Sequence, residues 1–234
     1  MKVVGVLFLV SLWGSYSYSN SCVTSLEPIL ELEKHVHQYI DSPKYTEYVQ
    51  KKLAYFMIDP NGYVTIDSQE VFPEKLISKA FRHIPFPSEI LLPSHSTYLR
   101  NFKSINSPQA GMLKKIFGDY VDWLTKILNR VSEREKVFVF GSELRMLSSE
   151  GGMEVPVWHH DGGYIAVGAA LLGRGTQYLE KAADTHPKEV SRGNTMLFTA
   201  LDRTLATEIP PTIHRSPPRG PKRIFLMVRY NKVE

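Results

Sequence analysis

The residues of this chain best suited to chemistry are His159, Asp161 and His214. Side chains two apart on an extended strand point the same way, so His159 and Asp161 can both reach one metal ion. A chain holding 8 His and 24 acidic residues contains about one His-x-Asp or His-x-Glu pair by chance, so the pair needs support from its surroundings. A third ligand is also required, and His214, in Ile213-His214-Arg215, is the candidate. Two imidazoles and one carboxylate on one face of an octahedron leave three positions open, a set that suits non-haem Fe(II). The same residues could hold a structural metal, or Zn²⁺ with a free position for water. For a zinc hydrolase the chain lacks the His-Glu-x-x-His arrangement that usually supplies a general base. His186, in Thr185-His186-Pro187, replaces His214 only if the latter is not a ligand. His160 points to the opposite strand face and is expected at the surface or behind the ligands.

These residues belong to the half of the chain with strand character. After Glu135 the apolar period changes, and Val137–Phe140, Glu143–Ser148, Val157–Asp161, Tyr164–Leu171, Thr176–Lys181, Asn194–Ala200, Thr212–Ser216 and Lys222–Tyr230 read as about eight short strands. That number suits a jelly-roll barrel. In Tyr164–Leu171, Ala166, Gly168 and Ala170 share one face, which either leaves room for a ligand or packs closely on a neighbour. The preceding residues read as helices. Ile29, Leu30, Leu32, Val36 and Ile40 form one stripe, Pro43 to Ile58 a second helix after the Asp41-Ser42-Pro43 break, and Pro73 to Arg82 a third. Tyr63 to Ile66 is a candidate strand, and Ile84 to Ser107, with three prolines, is expected as a covering loop. Met112 to Val131 carries the clearest helical stripe and is expected to cover the outer face of the main sheet. His35 and His37, two apart on a helix, cannot share a metal and are expected to be solvated or packing residues.

Five short motifs resemble, in order, those of the Fe(II)/2-oxoglutarate-dependent dioxygenases, especially the prolyl-hydroxylase-like branch. They are Leu144 to Gly152, His159-His160-Asp161, Gly173-Arg174-Gly175-Thr176-Gln177-Tyr178-Leu179, Arg192 to Phe198, and His214 followed by Arg223. The likeness covers roughly Glu143 to Tyr230 and implies an α+β fold: a double-stranded β-helix (jelly-roll) barrel with N-terminal covering helices. It implies Fe(II) held by His159, Asp161 and His214, with dioxygen and 2-oxoglutarate as co-substrates and ascorbate as an accessory reductant. The expected reaction is hydroxylation of a C–H bond in a protein side chain or small molecule, with release of succinate and carbon dioxide. A non-catalytic, cupin-like metal-binding jelly roll is the alternative. The sequence departs from the branch in two places. Ser148 and Ser149 stand where a tyrosine usually contacts 2-oxoglutarate, and the basic residues after His214 are Lys222 and Arg223, eight and nine positions on. Arg223 is the expected anchor for the distal carboxylate because a guanidinium fork matches a carboxylate and keeps its charge when desolvated; Lys222 is the alternative.

The chain of 234 residues is 43% hydrophobic, enough for one good core. The expected organisation is a signal peptide at 1–19, a mainly helical supporting region at 20–134 and a jelly-roll catalytic core at 135–234. Met1-Lys2, the apolar run Val3 to Trp13 and the small, polar tract Gly14 to Ser21 read as an export signal cleaved after Ser19. The apolar run is too short to span a membrane comfortably. The expected destination is the secretory pathway or export, with a cytoplasmic protein that keeps this segment in its fold as the alternative. Cys22 also admits a lipoprotein reading, against which Ser19 stands in place of an aliphatic residue. One cysteine excludes an intrachain disulfide and a multi-cysteine zinc cage. A formal charge of +4 is scattered among 24 acidic residues without a long basic run, which argues against nucleic acid as a partner.

Overall fold

The computed structural model describes residues 26–85, 88–92, 107–132, 135–147, 157–181, 184–217 and 222–234. The signal-peptide segment, Cys22, His95, Ser148, Ser149, the Gly151-Gly152 turn and the turn at 218–221 lie outside the described residues.

Four helices come from the first half. Helix α1 (Glu27–Ile40) buries Ile29, Leu32 and Val36 at helical spacing. Helix α2 (Pro43–Ile58) starts where Ser42 Oγ accepts from Tyr45 N at 3.3 Å and stops at the Asp59 to Gly62 turn. After strand β1 (Tyr63–Ile66) comes helix α3 (Glu74–Ala80), then strand β2 (Ser88–Leu91). Helix α4 (Pro108–Val131) is capped by Ser107, whose hydroxyl accepts from Ala110 N at 3.1 Å. It buries one continuous stripe from Leu113 to Leu128.

The remaining strands are β3 (Val137–Leu147), β4 (Ile165–Leu172), β5 (Gln177–Tyr178), β6 (Lys188–Glu189), β7 (Thr195–Thr199), β8 (His214–Arg215) and β9 (Arg223–Lys232), with helix α5 (Leu201–Thr207) after β7. They build an antiparallel six-stranded sheet ordered β1-β7-β4-β9-β3-β2 and a three-stranded sheet ordered β6-β5-β8. Among the described residues neither sheet closes into a barrel. Both edge strands of the large sheet, β1 and β2, come from the helical half of the chain.

Strand parity divides the large sheet into two faces. Leu144, Met146, Ile165, Val167, Leu171, Leu197, Ile224, Leu226, Val228 and Tyr230 share a core with α1 to α4. Helix α4 is tied to this face by polar contacts as well: Tyr120 Oη lies 3.1 Å from Thr195 Oγ1, and Thr125 Oγ1 lies 3.0 Å from Tyr230 Oη. On the other face, Ala166, Met196 and Phe198 form a second, smaller core with Tyr178 and Val190.

Several expectations are corrected. The stretch expected as a loop from Ile84 contains β2, whose four residues are too few to show a period and owe their conformation to pairing with Glu143–Met146. The two strands expected between Val137 and Ser148 are one strand, irregular between Val139 and Gly141. The strand expected at Val157–Asp161 is a single bridge between His159 and His214. Helix α5 and strand β6 have no counterpart among the expected elements. Over Gly168, the ring of Phe225 occupies the space: a Cβ there would lie 2.8 Å from Phe225 Cζ, so close packing accounts for that part of the small-residue face.

Candidate metal centre

A backbone bridge sets two imidazoles side by side. His159 N donates to His214 O and His214 N donates to His159 O, both at 3.0 Å, so the two residues are a directly opposed antiparallel pair with side chains on one face. Their ring centroids are 4.4 Å apart. Asp161, two residues beyond His159, returns to the same side. Its backbone is fixed by α5: Leu201 N donates to Asp161 O at 3.1 Å and Asp202 N to Gly163 O at 2.9 Å.

The ring nitrogens are sorted by their neighbours. His159 Nδ1 lies 2.9 Å from Val157 O, and His214 Nδ1 lies 3.2 Å from Thr212 O. A carbonyl only accepts, so each Nδ1 carries the proton, and in the neutral rings each Nε2 keeps a lone pair. Both lone pairs face Asp161: His159 Nε2 is 3.8 Å from Oδ1 and His214 Nε2 is 3.7 Å from Oδ2. These separations exceed hydrogen-bond length, and Asp161 Oδ2 is buried without a hydrogen-bond partner among the described residues. Two metal bonds of about 2.1 Å span up to about 4.2 Å between donor atoms. The three donor atoms lie within 4.8 Å of one another, so a small side-chain adjustment closes the set around one ion.

Burial lowers the pKa of His214, opposed by the carboxylate of Asp161 and helped by the neighbouring His159. The neutral, metal-binding form is therefore favoured. Phe198 covers His214 with its ring centroid 4.4 Å away, and the His214 side chain is 5% exposed. The His159 side chain is 26% exposed and marks the open side of the centre.

Arg223 lies 4% exposed on the inner face of β9, in a cleft also lined by His159, His214, Thr176 and Arg145. Its Nε donates to Arg174 O at 2.9 Å, its Nη2 to Thr176 Oγ1 at 3.4 Å, and its guanidinium sits 4.3 Å from the Phe225 ring centroid. Glycines bring the Gly173-Arg174-Gly175 turn this close. Gly173 has φ +83° beside Arg223, and a Cβ on Gly175 would fall 1.7 Å from Val190 O. Lys222 precedes the strand and is exposed.

Among the described residues the other histidines do not join the triad. His186 Nδ1 lies 3.0 Å from Thr185 Oγ1 in an exposed loop, and His160 is exposed. His35 Nε2 lies 2.6 Å from Glu70 O, and His37 Nε2 lies 3.1 Å from Asp119 Oδ2. Two contributors were missed at the sequence level. Thr176 was read only as the start of a strand and a member of the Gly173–Leu179 motif, and Arg145 only as part of a strand; the parity of Arg145 with Glu143 and Leu147 is the signal that could have placed it on the cleft face.

No protein-family model and no curated protein matches the chain. Among solved structures it is similar to a prolyl-4-hydroxylase of Pseudomonas putida, with a TM-score of 0.48 and 13% identity over 80% of this chain and 95% of that one. A putative oxygenase from Shewanella oneidensis gives a TM-score of 0.48 and 14% identity, covering 82% of this chain and 88% of that one. An oxidoreductase of the 2OG-Fe(II) oxygenase family from Burkholderia pseudomallei gives 0.47 and 12%, covering 78% and 89%.

Proposed function

We propose that this protein is an Fe(II)- and 2-oxoglutarate-dependent oxygenase on a jelly-roll framework, which hydroxylates a C–H bond of a protein side chain or small molecule. The observation that carries the reading is the convergence of His159, Asp161 and His214 within 4.8 Å, in a cleft that also holds the buried Arg223. Iron and 2-oxoglutarate would supply the chemistry, coupling oxidative decarboxylation to succinate and carbon dioxide with oxidation of the substrate by dioxygen. Ascorbate would serve as an accessory reductant.

The chain's own residues supply geometry. His159 and His214 offer Nε2 because their Nδ1 protons are held by backbone carbonyls, and Asp161 offers its unpartnered oxygen. Arg223 receives the distal carboxylate of 2-oxoglutarate, its fork oriented by Arg174 O and Thr176 Oγ1. Leu147, Phe198 and Phe225 wall the cleft with apolar surface, which keeps water out and strengthens the charge contact. The partners are therefore dioxygen, 2-oxoglutarate and a substrate with a hydroxylatable carbon.

The test is product formation by the purified protein. Succinate and carbon dioxide should appear from 2-oxoglutarate with Fe(II) and oxygen, and should fall to background in His214→Ala. Protein that loads iron at the triad yet neither binds nor consumes 2-oxoglutarate would instead be a metal-binding jelly roll without turnover.

A further inference from the structure

Three arginines line the cleft: the co-substrate reading engages Arg223, Arg215 donates from Nε to Gln177 Oε1 and lies over the Trp158 ring, and Arg145 is left unused. Arg145 lies on β3, the neighbour of β9; Leu147 pairs with Arg223 and Arg145 with Phe225, so the two arginines are diagonal neighbours on one sheet face. Arg145 lines the same cleft as His159, His214 and Arg223, and its side chain is 17% exposed. Its Nη2 donates to Glu143 Oε1, but its Nε is buried without a hydrogen-bond partner among the described residues. A dry guanidinium N–H left unmade is costly, which makes it a waiting donor for a ligand oxygen. Charge points the same way. Glu143 is only 7% exposed, and its Oε1 also lies 3.9 Å from Arg229 Nη1, so one carboxylate answers two cations and the face keeps a positive excess. Leu147, Phe225 and Met227 line the cleft as well, giving a charged contact set in apolar walls.

We propose that Arg145 binds a carboxylate carried by the substrate, which is therefore an organic anion with an apolar body lying between Arg145 and the metal centre. The inference rests on the co-substrate reading, because Arg223 is then occupied by 2-oxoglutarate, Arg215 is turned to Gln177 and Trp158, and Arg145 is the cleft arginine with an unmade donor. Carboxylates of 2-oxoglutarate share this chemistry, so the experiment must separate the two sources.

The probe is phenylacetate, with phenylacetamide as its uncharged counterpart. Each is titrated calorimetrically into anaerobic protein saturated with Fe(II) and 2-oxoglutarate. Phenylacetate should bind the wild type and lose about tenfold or more in affinity in Arg145→Gln, and phenylacetamide should bind no better than that variant binds the acid. In the same variant 2-oxoglutarate affinity should stay within about threefold of wild type, whereas Arg223→Ala should lose it. Arg145→Lys keeps the charge beside Glu143 and should retain part of the phenylacetate affinity, which guards against a folding defect in Arg145→Gln. Equal binding of acid and amide, or phenylacetate binding unchanged in Arg145→Gln, overturns the assignment. Loss of 2-oxoglutarate in Arg145→Gln as large as in Arg223→Ala also overturns it and gives Arg145 to the co-substrate. Wild-type protein that loads iron but does not bind 2-oxoglutarate overturns the co-substrate reading itself, and this inference with it.

Discussion

A histidine ligates a metal only through an unprotonated nitrogen, so the carbonyls of Val157 and Thr212 matter as much as the imidazoles they orient. Alanine at His159, Asp161 or His214 should abolish stoichiometric iron in folded protein, and His186→Ala should keep it. Full occupancy in His214→Ala would move the ligand set elsewhere. A pH dependence follows from the buried His214. Its pKa lies below the ordinary imidazole value of about 6.5, so between the lowered value and that value the unfolded chain binds more protons than the folded one. Stability of the metal-free protein should therefore rise with pH through this window and level off above about pH 7. Urea denaturation of metal-free protein at several pH values checks this, and His214→Asn should flatten the slope. A steeper loss of stability at high pH would contradict the burial argument. The ligand types and their parity were legible in the sequence because a two-residue period is a local property. The buried Nε of Arg145, without a partner among the described residues, was not, since it depends on which strand lies beside β3.

At the level of elements, one face of each strand in the large sheet serves the helices and the other serves the cleft. Strand parity lets only one of Lys222 and Arg223 face the cleft, and the chemistry of the guanidinium favours Arg223; in the structure Arg223 lines the cleft, with Ile224, Leu226, Val228 and Tyr230 in the helix-side core. Arg223→Ala should weaken 2-oxoglutarate binding by about 2–4 kcal/mol with iron retained, measured by titration, while Lys222→Ala should leave it near wild type. The reverse result would make Lys222 the anchor. Helix α4 was legible because its stripe repeats over many turns, and β8 falls inside the strand expected at Thr212–Ser216, whereas β6 spans only two residues and is held by pairing with β5. No local pattern of two residues can announce a strand. The Gly-x-Gly turn was visible as a motif, but its reason is tertiary: Gly175 faces Val190 O with no room for a methyl group. Gly175→Ala should displace the turn and weaken 2-oxoglutarate binding through Arg174 and Thr176.

Across the whole molecule, Arg203 joins parts that are distant in sequence. It is fully buried, and it donates from Nε to Glu135 Oε2 at 3.0 Å, from Nη1 to Thr199 Oγ1 at 2.9 Å and from Nη2 to Met57 O at 3.0 Å. It thereby links α5, which fixes the Asp161 backbone, to the ends of α2 and β7 and to the residues before β3. Arg203→Ala should cost roughly 3–5 kcal/mol by chemical denaturation, because Glu135 and Met57 O lose their partner. Nothing in the local sequence marks this arginine as buried, since its partners lie 4, 68 and 146 residues away. Among the described residues no helix is long and apolar enough to cross a membrane. The central claim concerns one centre that binds metal and co-substrate together, and anaerobic titration of the purified protein with Fe(II) and then 2-oxoglutarate tests it most directly. A visible metal-to-ligand absorption band should grow to one equivalent of each and be absent in His214→Ala. Iron bound at one equivalent with no band at any 2-oxoglutarate concentration would contradict the account.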